Sequence, residues 1–206
     1  YRIVAADGTF RWLADSSIAV FNSQGVPIGS IGILQDITER MATDALNHAL
    51  SRLGRELSAA TTPHDVGLVT VQAAAQVIGW DACFLNLHNE TKRTVDCILC
   101  MDTIDGHKRE FPENYHCDIP ASSIFFRTLR DGRQLHLREP GKRRTDNARR
   151  LWGDETRCSE SLMYVPVREK GEKNVGVLSL QSYTPGAYTE KDLETLQILA
   201  DYCGGA

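Results

Sequence analysis

The sequence has no apolar run approaching the roughly 20 residues that carry a helix across a bilayer, so no membrane contact is expected within it. Charge of one sign is also scarce: 23 Lys and Arg stand against 27 Asp and Glu, a net charge of −4. That balance gives little electrostatic reason for nucleic acid or an anionic membrane as a partner, and neither is expected. A dense cysteine framework is missing. The six cysteines, Cys83, Cys97, Cys100, Cys117, Cys158 and Cys203, are scattered through strand-like, loop and helix-end segments, which suits a reducing, cytoplasmic setting better than a disulfide scaffold. There is no internal repeat, low-complexity tract, Gly-rich phosphate loop or acidic metal cluster, so nothing equips these residues to handle ATP or to make a cyclic dinucleotide. No catalytic residues are expected.

What remains is a globular composition, 42% hydrophobic and 24% charged over 206 residues. That length suits one ordinary domain plus a piece of another. The chain opens at Tyr1 without a methionine or leader and stops at Cys203-Gly204-Gly205-Ala206 directly after a helical pattern, so both ends are expected to be cuts in a longer protein.

Residues 1–36 alternate as strands do, in Tyr1-Arg2-Ile3-Val4, Phe10-Arg11-Trp12-Leu13, Ile18-Ala19-Val20-Phe21 and Ile28 to Leu34. Asp7-Gly8 and Asn22-Ser23-Gln24-Gly25 supply the turns between three antiparallel strands. Gly29 and Gly32 inside the third strand predict a bulge or a close backbone approach. After Asp36-Ile37-Thr38-Glu39-Arg40 the period changes, and Leu46, Leu50, Leu53 and Leu57 line one helical stripe. The stripe either pairs with a second copy of itself or packs onto its own domain. Thr62-Pro63 starts a second helix ending near Ile78-Gly79. Strands are predicted over residues 82–88 and 94–101, then an irregular polar stretch to Asp118, a helix through Leu129 stopped at Asp131-Gly132, and a strand at Gln134 to Leu137. Residues 138–160 form a long charged connection. Strands at residues 162–167 and 175–181 follow, and Thr189-Glu190-Lys191-Asp192 opens a last helix carrying Leu193, Leu196, Leu199 and Ala200.

The first 40 residues resemble the C-terminal half of a PAS domain, the PAC motif: a basic strand at Tyr1-Arg2-Ile3, the Asp7-Gly8 hairpin, the aromatic strand Phe10-Arg11-Trp12-Leu13 and the closing Asp36-Ile37-Thr38-Glu39-Arg40. Residues 45–203 resemble a GAF domain, most sharply in the closing hairpin with Pro166, Gly176 and Val177, then Tyr188-Thr189 before a final helix with Asp192 and Leu196. The resemblance implies an α+β fold: a GAF-like antiparallel sheet flanked by helices, preceded by a three-stranded antiparallel PAS remnant (1–40) and a connecting helix (41–60). It implies a sensory module, homodimeric through its helices, that relays a signal to an output domain, a histidine kinase first and a diguanylate cyclase next. The rival is a ligand-free dimerisation module. The ligand is left unknown, no cofactor is required, and a bilin or haem is not expected.

Several residues invite sharper readings. Cys97 and Cys100 are three apart on a strand, where such residues point to opposite faces, so the two sulfurs are expected to diverge and no metal pair is expected there. His116-Cys117 lies where some bilin-binding relatives hold their chromophore, but in inverted order. His48 lacks the acidic and proline neighbours of a phosphoryl-accepting histidine. Asp36 and Thr38 suit helix initiation rather than catalysis. Arg143, Arg144 and Arg149 in the long connection are candidates for steering an anion toward a pocket mouth, with a solvated loop as the plainer account. The GAF arrangement places a ligand between the sheet and the connections, which makes Phe84, Leu99, Phe111, Phe126, Tyr164 and Ser179 the candidate lining. Each is equally a core candidate, and a one-residue error in strand parity would flip the choice.

Overall fold

Asp-Gly and Asn-x-x-Gly turns build the first sheet. In the computed structural model, which describes residues 1–92, 94–111, 116–117, 123–138, 157–169 and 173–205, β1 (Arg2–Val4), β2 (Phe10–Phe21) and β3 (Pro27–Asp36) pair antiparallel in that order. Gly8 and Gly25 take the left-handed φ of +82° and +77° that the turns require. The register passes from Val20↔Gly29 to Phe21↔Pro27, leaving Ile28 as a bulge beside the glycine that predicted one. Gly32 is the close approach, since a Cβ there would lie 3.3 Å from the Ser16 carbonyl oxygen.

At the end of β3 the Asp36 carboxylate accepts from the Thr38 amide at 2.9 Å, and the Thr38 hydroxyl accepts from the Trp12 amide at 2.8 Å. Hydrogen bonding from Thr38 and the nearby Arg11 guanidinium hold the Asp36 carboxyl below its ordinary range. These two residues therefore close the sheet and launch α1 (Thr38–Leu57). By packing, the chain divides into Tyr1–His48 and Ala49–Ala206. Within the second unit Ala49, Leu53 and Leu57 of α1 are buried in the core, so that half of the leucine stripe packs onto its own domain.

The second unit continues with α2 (Pro63–Val77), β4 (Ala82–Asn89), β5 (Thr94–Ile104), β6 (His107–Glu110), β7 (His116–Cys117), α3 (Ile124–Asp131), β8 (Gln134–Leu137), β9 (Ser161–Glu169), β10 (Lys173–Ser182) and α4 (Glu190–Gly205). Thr62 and Asp65 cap α2 reciprocally, and Thr189 and Asp192 do the same for α4. The strands form an antiparallel sheet ordered β6-β5-β4-β10-β9-β8, with short β7 added on β5. One stretch read as irregular is ordered: β5 runs on to Ile104, and Asp105-Gly106, with φ of +52° and +77°, turns it back into β6. An Asp-Gly hairpin signal stood there in the sequence.

One face of this sheet carries the apolar core. Leu85, Leu99, Met163, Val165, Leu178 and Leu180 project from it and pack on Leu53, Val71, Ala74, Leu196 and Leu199 of the helices. Burying each leucine contributes about 1.5–3 kcal/mol. Close packing has a backbone cost that glycine removes: a Cβ on Gly176 would sit 2.4 Å from the Asn86 carbonyl oxygen. At the sheet's end the buried Asp102 carboxylate accepts from the Tyr183 hydroxyl at 2.5 Å and from the Thr103 amide at 2.7 Å, so it is not an unpaired charge.

Candidate functional site

The opposite face of the same sheet has a different character, and strand alternation explains why. In β4, Cys83, Leu85 and Leu87 point to the apolar core, while Phe84, Asn86 and His88 point the other way. In β8, Gln134 and His136 alternate with Leu135 and Leu137. Directly opposed residues in an antiparallel sheet share a face, so pairing aligns Gln134, Tyr164, Ser179, Phe84 and Cys100 in one row across five strands.

Helix α3 covers this face. Ser123 caps it and Gly132, at φ +90°, ends it. Its buried Phe125 packs with Val95, Leu162, Tyr164 and Val177, with Phe84 and Phe126 against that cluster. Phe126 meets the His88 ring edge-on at 5.4 Å and 89°, Phe84 lies 6.1 Å from Tyr164, and His136 meets Tyr164 edge-on at 5.8 Å. The Asn174 carboxamide donates to the Leu129 carbonyl at 2.6 Å and ties the end of α3 to β10.

Two buried polar atoms on this aromatic face have no hydrogen-bond partner among the described residues: Asn86 Oδ1 and His136 Nε2. Burial, then the positive charges of Arg127 and Arg138, push the His136 pKa below its ordinary value, so the ring is held neutral. Arg138 is itself anchored, donating to the Ser159 carbonyl at 3.0 Å. The face thus offers aromatic walls, a carboxamide oxygen, a neutral imidazole and nearby guanidinium charge.

Of the residues expected to line a site, Phe84, Phe126 and Tyr164 come together here, with the fully buried Ser179 in the same row. Leu99 does not. It pairs with Leu85, and the α2 helix at Gly67 closes over both, so it belongs to the apolar core on the other side. Phe111 sits at the β5 edge, its amide donating to the Cys100 carbonyl at 2.9 Å. Arg143, Arg144 and Arg149 lie outside the described residues. His48 is exposed on α1. The backbones of His116 and Cys117 pair with Asp96 and Val95.

The expectation that Cys97 and Cys100 diverge is overturned. Pairing steps from Leu85↔Leu99 to Asn86↔Cys97, so Ile98 is an extra residue bulged out of β5. An inserted residue resets strand parity, and both cysteines share the face of Phe84 and Asn86, where burial and then the neighbouring Cys97 thiol push the Cys100 pKa up. Sequence reasoning also passed over Asn86, His88 and His136. Their signal was legible: polar or ring residues at every second position of strands whose other positions are wholly apolar. No group of three or more His, Cys, Asp or Glu among the described residues is placed to hold a metal, and no helix there is long and apolar enough to cross a membrane.

The second unit is thus a mixed sheet-and-helix domain with an apolar core on one face of its sheet and an aromatic, helix-covered cluster on the other. Residues 60–206 match the GAF domain family, and the chain belongs to it. No curated protein matches. Among solved structures, the GAF domain of a phosphoenolpyruvate-protein phosphotransferase from Coxiella burnetii is 15% identical with a TM-score of 0.59, over 79% of this chain and 92% of that one. The corresponding domain from Acinetobacter is 17% identical with a TM-score of 0.54, over 80% and 90%. The GAF domain of a putative sensor histidine kinase from Pseudomonas syringae pv. tomato is 18% identical with a TM-score of 0.50, over 81% and 87%. At such identities the likeness is one of fold.

Proposed function

We propose that the GAF unit is a cytoplasmic sensory module that takes a small ligand on the α3-covered face. Its occupancy biases the flanking helices toward an output domain elsewhere in the protein, a histidine kinase. The observation that carries this reading is the pair of buried atoms without a hydrogen-bond partner among the described residues, Asn86 Oδ1 and His136 Nε2, on a face that carries the Phe84, Phe125, Phe126 and Tyr164 rings. An unsatisfied buried polar group costs about 1–3 kcal/mol, and a ligand that pairs with both recovers that cost. Arg127 and Arg138 beside His136 favour a ligand with an anionic group, and the rings favour a flat apolar part. Differential affinity for two arrangements of the helices is the minimum mechanism.

Residues 1–40 are, on this reading, the C-terminal part of a PAS domain. Support comes from the Asp36–Thr38 helix launch and from apolar side chains left exposed on the three-stranded sheet, Ile18, Ile28, Ile31 and Ile33 among them. A thermal-shift screen with cyclic nucleotides, purines, haem and bilins tests the ligand, because a true ligand raises Tm with occupancy. The expected result is a rise in the wild type that Asn86→Leu reduces. If every compound leaves Tm unchanged, the ligand reading fails. No phosphorylation with ATP is expected from this chain alone.

A second reading, a ligand-free homodimerisation module, draws on an open groove of about 610 Å³ lined by Gly54, Leu57, Ser58, Ala60, Asp201, Tyr202 and Gly205. Ile198 and Tyr202 are exposed on α4. Sedimentation of the wild type against Tyr202→Glu tests it, a loss of dimer being the supporting outcome.

A further inference from the structure

The bulge at Ile98 gives β5 a feature that no part of the sensor reading uses. Cys97 and Cys100 face the same side of the sheet, flanked in register by Asn86 and Phe84. Cys97 is half-buried and its thiol points along the strand toward the Leu99 carbonyl at 3.7 Å, whereas Cys100 is 3% exposed. We propose that Cys97 and Cys100 are a reversible dithiol–disulfide pair, a redox modification site built into the ligand-facing side of the GAF sheet.

The geometry sets the order of events. Burial first, and then the Cys97 thiol beside it, hold the Cys100 thiol protonated, so Cys97, the more accessible of the two, is the entry point. With a low-molecular-weight disulfide as oxidant, the Cys97 thiolate attacks one sulfur, forms a mixed disulfide and expels one thiolate. Cys100 then loses its proton and attacks Cys97 Sγ, expelling the second thiolate. Two protein thiols become one disulfide, and the small disulfide takes up two electrons and two protons to become two thiols. Closure brings the two Cα atoms to the roughly 4.4–6.8 Å that a disulfide spans. An uninterrupted strand resists that approach. A strand that already carries an extra residue between the two positions can tighten locally, and the adjustment falls beside Asn86 and Phe84.

Any effect on ligand binding rests on the sensor reading; the covalent chemistry does not, and a mass measurement separates the two. The folded full chain is incubated with oxidised glutathione, alkylated under denaturing conditions and cut with trypsin. The peptide of residues 94–108 contains Cys97 and Cys100 and no other cysteine. The expected result is loss of two hydrogens from this peptide and loss of alkylation at both cysteines, reversed by reductant. Cys100→Ser is expected to trap glutathione on Cys97, and Cys97→Ser to leave Cys100 unmodified. Full alkylation of both residues after oxidant, or linkage of Cys97 to a different cysteine, overturns the proposal. The wild-type measurement decides even if a variant does not fold.

Discussion

β3 and β10 are strands of equal length, ten residues each, and each places apolar residues two apart on one face, Ile31 and Ile33 in the first and Leu178 and Leu180 in the second, yet their fates differ. Every residue of β3 is exposed, with Ile31 at 64% and Ile33 at 72%, while Leu178 and Leu180 of β10 are fully buried. The hydrogen-bonded ladders are equally regular. What separates them is cover: β10 lies between α3 on one face and the α2 and α4 layer on the other, and within the first unit no helix lies over β3. Alternation therefore defines which face is apolar, and only packing turns that face into a core.

The comparison can be tested by making equivalent substitutions in the two sheets. The largest effect is expected for Leu196→Ala, which empties a fully buried site beneath the second sheet and should lower unfolding free energy by about 2–5 kcal/mol in urea titration. A loss below about 1 kcal/mol would mean that the apolar face collapses readily and that the contrast is weaker than it looks. Next comes Gly176→Ala. Its Cβ would meet the Asn86 carbonyl at 2.4 Å, whereas Gly29→Ala meets nothing within 4 Å, so calorimetry should give a lower Tm for the first, by about 1–3 kcal/mol equivalent, and little change for the second.

Thr62→Ala removes one half of the α2 capping box and should cost about 1 kcal/mol in the same denaturation assay. His136 supplies a pH-dependent test confined to the second sheet. Its folded pKa is depressed below 6.5, so its neutral form stabilises the fold above that pH, and the contribution is lost as pH falls through the folded pKa. Urea midpoints measured from above to below that window should drop more steeply in the wild type than in His136→Gln. Smallest of all, Ile31→Ala in the first sheet should stay within about 0.5 kcal/mol of wild type. A loss like that of Leu196→Ala would instead mean that something covers β3 in solution.

Much of the fold was legible from short-range chemistry. Thr62-Pro63 and Thr189 with Asp192 mark helix starts, Gly8, Gly25 and Gly132 mark turns and a helix end, and the apolar runs of β9 and β10 declare buried strands, because each signal is a local rule about backbone amides or φ. Asp105-Gly106 carried the same kind of signal and was overlooked within a charged stretch. The candidate site was only half legible. Phe84, Phe126 and Tyr164 come from three distant segments and were grouped by resemblance, while Leu99 was assigned to the wrong side.

By itself, the sequence determined most of the local elements, their caps and turns, and the membership in a sheet-and-helix class. Strand parity across the sheet was decided only by tertiary structure, because one bulged residue, Ile98, brings Cys97 back to the face of Cys100. Which apolar faces are covered was decided there too. Cover depends on contacts between segments far apart in the chain, and no local rule about amides or side-chain period contains that information.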